Sequence, residues 1–163
     1  MNTPANSQRR YSFASENELM KFLSRSHDLR LELSTLYRRM KDLRERAVSI
    51  SPAYSPLPKS KPSESDGKVA HYATEIVALL KDAEKREDEL IVAEREIEEV
   101  ILLLGPCKER AILYDFYIND IPTSSTNLGV TTLGDIYNYS ETYIRFLMKR
   151  GRKKILEICE NNT

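Results

Sequence analysis

Residues 130–148 read V-T-T-L-G-D-I-Y-N-Y-S-E-T-Y-I-R-F-L-M, and the spacing within this stretch decides the fold of the C-terminal third. Leu133 is apolar, Gly134 beside it is small, and Tyr137 is apolar one turn later. Asn138 tolerates the left-handed conformation that closes a helix before a sharp turn. Tyr139 then offers an apolar anchor and Ser140 an N-cap for a second helix. Within that helix Ile144 and Leu147 lie three apart and share a face. A small residue four before the turn lets two helices cross closely, and apolar residues on both sides of the turn hold them together. The pattern is that of a helix-turn-helix, the device that sets its second helix in the major groove of DNA.

Any two-helix corner needs a turn residue and a cap, so the spacing alone does not separate a DNA reader from a plain corner. Charge favours the reader. Arg145, Lys149, Arg150, Arg152, Lys153 and Lys154 place six basic residues in ten positions, opposed from Tyr139 onward only by Glu141, Glu157 and Glu160. A basic run is often no more than a solvated face. On the second helix of this pattern it points to phosphate attraction, which supplies most of the affinity for DNA.

Working outward, the chain has 163 residues, 31% charged and 40% apolar, with no Trp and five Gly, a composition that suits a helix-rich fold. Formal net charge is zero, so any affinity for DNA must come from a local patch. Cys107 and Cys159 lack a histidine cluster, and no zinc or other metal site is expected. His27 and His71 sit singly on helical patterns and are read as surface or packing residues. No apolar run reaches membrane-spanning length and the first ten residues carry no apolar h-region, so a cytoplasmic protein with reduced thiols and no membrane association is expected.

Upstream, apolar positions recur at alternating intervals of three and four. One set runs from Leu19 through Phe22, Leu29, Leu33, Leu36, Met40, Leu43 and Ala47 to Ile50, with Ser26 as its polar slot. A second runs from Val69 through Tyr72, Ile76, Leu79, Ala83, Leu90, Ala93, Ile97 and Val100 to Leu104, with Arg86 as the exception. Both are coiled-coil seams. Residues 51–67, with four prolines and five serines, cannot continue a helix and read as a loop. Residues 1–50 carry ten Lys/Arg and six Asp/Glu, net +4, whereas residues 67–104 carry five and ten, net −5. A basic helix and an acidic helix of matched length should fold back as an antiparallel hairpin. Leu23, Leu31, Tyr37, Leu80, Ile91, Val92 and Ile101 lie off the seams, which predicts a further buried stripe, through dimerisation or docking on the C-terminal domain. The expected layout is all-α, with a disordered tail over 1–16, a helical hairpin over 17–104 and a helix-turn-helix domain over 105–163. Gly105-Pro106 marks the boundary.

After Pro106 the run C-K-E-R-A-I-L-Y-D-F-Y-I suits a short helix with a wide apolar face, and residues 119–130 read as a turn-rich loop. A helix beginning P-x-x-E-R, a loop, then a helix-turn-helix with Y-S-E at its turn resembles region 4 of bacterial sigma factors. The order of R-A-V-S-I-S-P-A-Y-S-P-L-P at 46–58, the helix at 109–118 and the segment 131–155 is similar to phage and prophage transcriptional regulators of low-GC Gram-positive bacteria, of the ArpU and RinA type. The resemblance covers roughly residues 25 to 160. It implies sequence-specific binding to double-stranded DNA, control of phage or prophage genes, and contact with host RNA polymerase. Carried over by position, it places Ser140, Glu141, Thr142, Arg145 and Lys149 on the outer face of the recognition helix. Arg145 suits a guanine edge and Thr142 a base or phosphate. Lys149, Arg152 and Lys153 suit phosphates, and Arg150 joins the DNA-binding set. Leu133, Tyr137, Tyr139, Ile144, Leu147 and Ile155 become core. Phe146 falls at an outward position, where packing on the hairpin is the preferred reading and contact with a thymine methyl the other.

No nucleophile–base pair, glycine-rich phosphate loop or pocketed carboxylate cluster is present, which argues against an enzyme, and no cofactor is expected. The competing reading is a helical adaptor of a phage, such as a small terminase-like packaging subunit. Oligomeric state separates the two: a homodimer fits a regulator, and a many-membered ring fits packaging.

Overall fold

A computed structural model describes residues 11–50, 64–119 and 126–161. Among them the chain is all-helical: α1 (Glu16–Ile50), α2 (Glu64–Leu102), α3 (Lys108–Tyr117), α4 (Thr126–Tyr137) and α5 (Glu141–Asn161). No described helix is long and apolar enough to cross a membrane. Contacts divide the chain into two compact units, and the division runs through both long helices: residues 1–28 with 90–163, and residues 29–89.

The second unit is built from α1 and α2 alone. Leu33, Met40 and Leu43 of the first seam are buried, as are Leu79 and Ala83 of the second. Arg39 pairs with Glu75 at 3.0 Å and Arg86 with Glu32 at 2.9 Å, so the α2 partner falls in number as the α1 partner rises. Arg86, the polar exception in its seam, therefore ties the two helices, and the Tyr37 hydroxyl donates to Glu87. These exposed pairs orient the helices rather than stabilise them strongly. Leu31, Tyr37 and Leu80 of this unit are exposed, as are Ile91 and Val92 of the other, so within one chain the predicted second stripe is uncovered at these positions.

In the first unit, α3 and α4 both pack on α5. At ten and twelve residues neither α3 nor α4 is long enough to be stable alone, so tertiary burial sustains them. Their core is Ile112, Leu113, Phe116, Val130, Leu133, Ile144, Leu147 and Ile155, joined by Leu19 and Leu23 of α1 and Ile97, Val100 and Ile101 of α2. Leu23 and Ile101, off the heptad seam, thus belong to the core that includes the C-terminal helices. Ser26 is buried as well, and its hydroxyl donates to the Tyr117 carbonyl at 3.0 Å. His27 packs edge-on against Phe116.

Four sequence expectations change. The disordered tail does not extend to residue 16: Phe13 is buried against Phe22 and Tyr11 packs on the same ring, because two aromatics bury enough apolar surface to order the chain ahead of α1. Residues 1–10 lie outside the described residues, as do 51–63 of the Ser/Pro-rich loop. That loop is shorter than expected at its far end, since α2 begins at Glu64 and carries Gly67 inside it. Residues 126–130 belong to α4 rather than to a loop, because Val130 is needed in the core. Finally, α2 ends at Leu102, its last turn tightened by Leu103, Leu104 and Gly105 each donating three residues back. Gly105 takes the left-handed conformation at φ 52° that stops the helix.

Candidate nucleic-acid interface

The turn between α4 and α5 is three residues long. Asn138 adopts φ 54°, the single left-handed non-glycine residue among those described. The Tyr139 N–H donates to the Gly134 carbonyl at 2.9 Å and the Asn138 N–H to the Asp135 carbonyl at 3.4 Å. These two bonds, running back five and three residues, make a Schellman closure with Asn138 at its left-handed position. Ser140 then caps α5, its Oγ accepting from the Tyr143 N–H at 3.2 Å. Glu141 reaches back to α4 and accepts from the Thr131 hydroxyl at 2.7 Å. Gly134 is the close-approach residue: a Cβ there would lie 2.9 Å from the Tyr139 carbonyl oxygen. Asn138→Val should destabilise the fold by about 1–2 kcal/mol, because a β-branched side chain is strained at positive φ. Thermal unfolding checks this, with Asn138→Gly expected to stay near the wild-type midpoint.

The buried side of α5 is Ile144, Leu147, Met148, Gly151, Ile155 and Cys159. Burial pushes the Cys159 thiol above its ordinary pKa and keeps it protonated. At 3.6 residues per turn, Thr142, Phe146, Lys149 and Lys153 fall directly opposite this stripe, with Arg145 at their edge. All five are exposed. Ser140 and Glu141 are also exposed but are engaged in the cap and the tie to α4. Leu133, Gly134, Ile144 and Leu147 are buried, while Tyr137 and Tyr139 are half-buried and stack with ring centroids 6.2 Å apart. The Tyr137 hydroxyl donates to Asp115 at 2.6 Å, and burial first, then that carboxylate, pushes its pKa up to about 12.

Three cations of the basic run pair with carboxylates on other helices. Arg152 is only 13% exposed and pairs with Glu16 at 3.2 Å, so it faces α1 rather than the outward row. Arg150 and Lys154 both reach Glu109, at 3.1 and 2.8 Å. Glu109 is 5% exposed, and the Lys154 hydrogen bond holds its carboxyl at about 2, well below the usual range. The sequence reading put Arg152 on a phosphate and Arg150 among the DNA-binding residues, and gave Glu109 no role. Lys153 lies outward beside Glu157 at 3.8 Å, a pair too exposed to neutralise it firmly. Among the described residues no group of three His, Cys, Asp or Glu is arranged to hold a metal ion.

Compared with protein-family models, curated proteins and solved structures, the chain matches none. The functional reading therefore rests on the geometry of α4, the turn and α5. Phe146 departs from its preferred expectation. Instead of packing on α1 or α2 it is 53% exposed, stacked on Tyr143 with centroids 6.1 Å apart.

Proposed function

We propose that this protein is a sequence-specific, double-stranded-DNA-binding transcription regulator of phage or prophage genes. In this reading α4 and α5 act as a helix-turn-helix of the sigma region 4 type, with α5 as recognition helix. Helices α1 and α2 form an antiparallel coiled-coil hairpin that supports a homodimer or higher homo-oligomer, and host RNA polymerase is a further partner. The observation that carries the reading is the exposed row Thr142, Lys149 and Lys153 opposite the buried stripe of α5, with Arg145 at its edge, following a three-residue turn. From residue 142 to residue 156 α5 has no acidic residue, so nothing on the helix itself opposes a phosphate backbone there. In this reading Arg145 addresses a base edge, and Lys149 and Lys153 fix register on phosphates.

Arg145→Ala should weaken binding to a preferred duplex by about 2 kcal/mol, roughly thirtyfold in Kd, and relax sequence preference at one position. Fluorescence anisotropy on a labelled duplex measures this, and an unchanged isotherm removes Arg145 from the readout. The internal pairing of Arg150, Arg152 and Lys154 favours a second reading, because it leaves fewer cations facing outward. That reading is a helical adaptor such as a terminase-like packaging subunit. A closed ring of many subunits in analytical ultracentrifugation would select it.

A further inference from the structure

Phe146 stands in the middle of the outward face of α5, between Thr142 one turn before and Lys149 one turn after. A 53% exposed phenylalanine is costly to leave in water, and the side chains around it are polar or cationic. We propose that Phe146, with Tyr143 stacked on it, reads the C5 methyl group of thymine in the major groove. This inference rests on the DNA-binding reading above and specifies what that surface prefers.

Three observations carry it. First, the major-groove edges of the base pairs offer one apolar group, the thymine methyl, and an exposed aromatic among polar neighbours is complementary to it. Second, the occupant of this face is a polyanion by charge: Arg145 and Lys149 lie one residue before and three after Phe146, and α5 has no carboxylate between Glu141 and Glu157. Third, the ring pair is held in place from the turn. Tyr143 and Phe146 stack at 16°, Tyr139 abuts Tyr143 edge-on at 5.0 Å, and Tyr137 stacks on Tyr139 at 14°. Tyr137 is in turn anchored through its hydroxyl to Asp115 of α3. A contact fixed before binding loses little side-chain entropy when it forms, which suits a specificity element.

The test uses the full chain and a randomised duplex library. Duplexes enriched by the protein are remade with deoxyuridine in place of thymidine, one position at a time, which removes the methyl and keeps base pairing. The expected result is a loss of about fourfold at each contacted thymine, the value of one methylene's worth of buried surface, and no loss elsewhere. Phe146→Ala should bind the thymine and uracil duplexes equally. Equal binding of both duplexes by the wild type overturns the proposal while leaving DNA binding intact. Persistence of the thymine preference in Phe146→Ala overturns the assignment to Phe146. Failure to enrich any duplex overturns the DNA-binding reading and this inference with it.

Discussion

Gly134→Val is expected to lower the unfolding free energy by about 3 kcal/mol, toward the upper end of what overpacking costs. The added Cβ would lie 2.9 Å from the Tyr139 carbonyl oxygen and 4.0 Å from the Glu141 nitrogen. Both are backbone atoms, so no side-chain tip can swing aside. The same residue supplies the carbonyl that receives the Tyr139 N–H, so moving α4 away would break the closure of the turn. Valine gains a few tenths of a kcal/mol over glycine in helix propensity, which is too little to offset the clash. For a chain of this size the midpoint should fall by about 6–12 °C in circular-dichroism melting. An unshifted midpoint would mean that α5 does not cross α4 at Gly134.

Glu109→Ala should cost a similar amount, about 3 kcal/mol, by leaving Lys154 and Arg150 without the buried carboxylate they share. Both cations are partly exposed and recover some hydration, which keeps the loss below that of a fully buried pair. The site is also crowded: a Cβ on Gly151 would come 3.1 Å from Glu109 Cβ and 2.8 Å from Leu113 Cδ1, so α5 lies close over this carboxylate. The pH dependence has a definite sign. The carboxyl is held at about 2 in the folded chain against an ordinary 4.5, so in that interval the unfolded chain binds the extra proton. The contribution is complete above the unfolded value and is lost as pH falls from about 4.5 toward 2. Urea midpoints should therefore drop more steeply through this interval in the wild type than in Glu109→Gln. Parallel pH profiles would show that Glu109 is not held as an anion.

The turn was legible in the sequence because its chemistry is local. Asn138 supplies the left-handed residue, Ser140 the cap and Gly134 the close approach, each within six residues of the others. The heptad seams were legible for the same reason, since periodicity reports which residues face a partner. What is decided at long range was not. Arg152 looks like the rest of the basic run until Glu16, 136 residues away, turns it inward. Glu109 looks like an acidic residue favoured in the first turn of a helix, and its partners Arg150 and Lys154 lie far along the chain on α5. Residues 126–130 contain Asn127 and Gly129, poor helix formers, and the helix extends through them in the presence of a buried Val130. Leu23 and Ile101 were visible as off-seam apolar residues, but nothing nearby in sequence shows that they share a core with the C-terminal helices.

These long-range pairings narrow the proposed interface. With Arg150, Arg152 and Lys154 paired to Glu109 and Glu16, the proposed interface on α5 centres on Thr142, Arg145, Phe146, Lys149 and Lys153. On the DNA-binding proposal, a surface of that size predicts modest non-specific affinity and leaves selectivity to a few base contacts.

The most direct measurement is a fluorescence-anisotropy titration of the full chain on duplex fragments tiled across the DNA flanking its own coding sequence. It is run at two salt concentrations, with Arg145→Ala/Lys149→Ala alongside. Sequence-specific DNA binding predicts one fragment bound at least about a thousandfold more tightly than the rest, weakening as salt rises and lost in the double variant. Weak binding that is equal on all fragments, or affinity unchanged by the double variant, would contradict it.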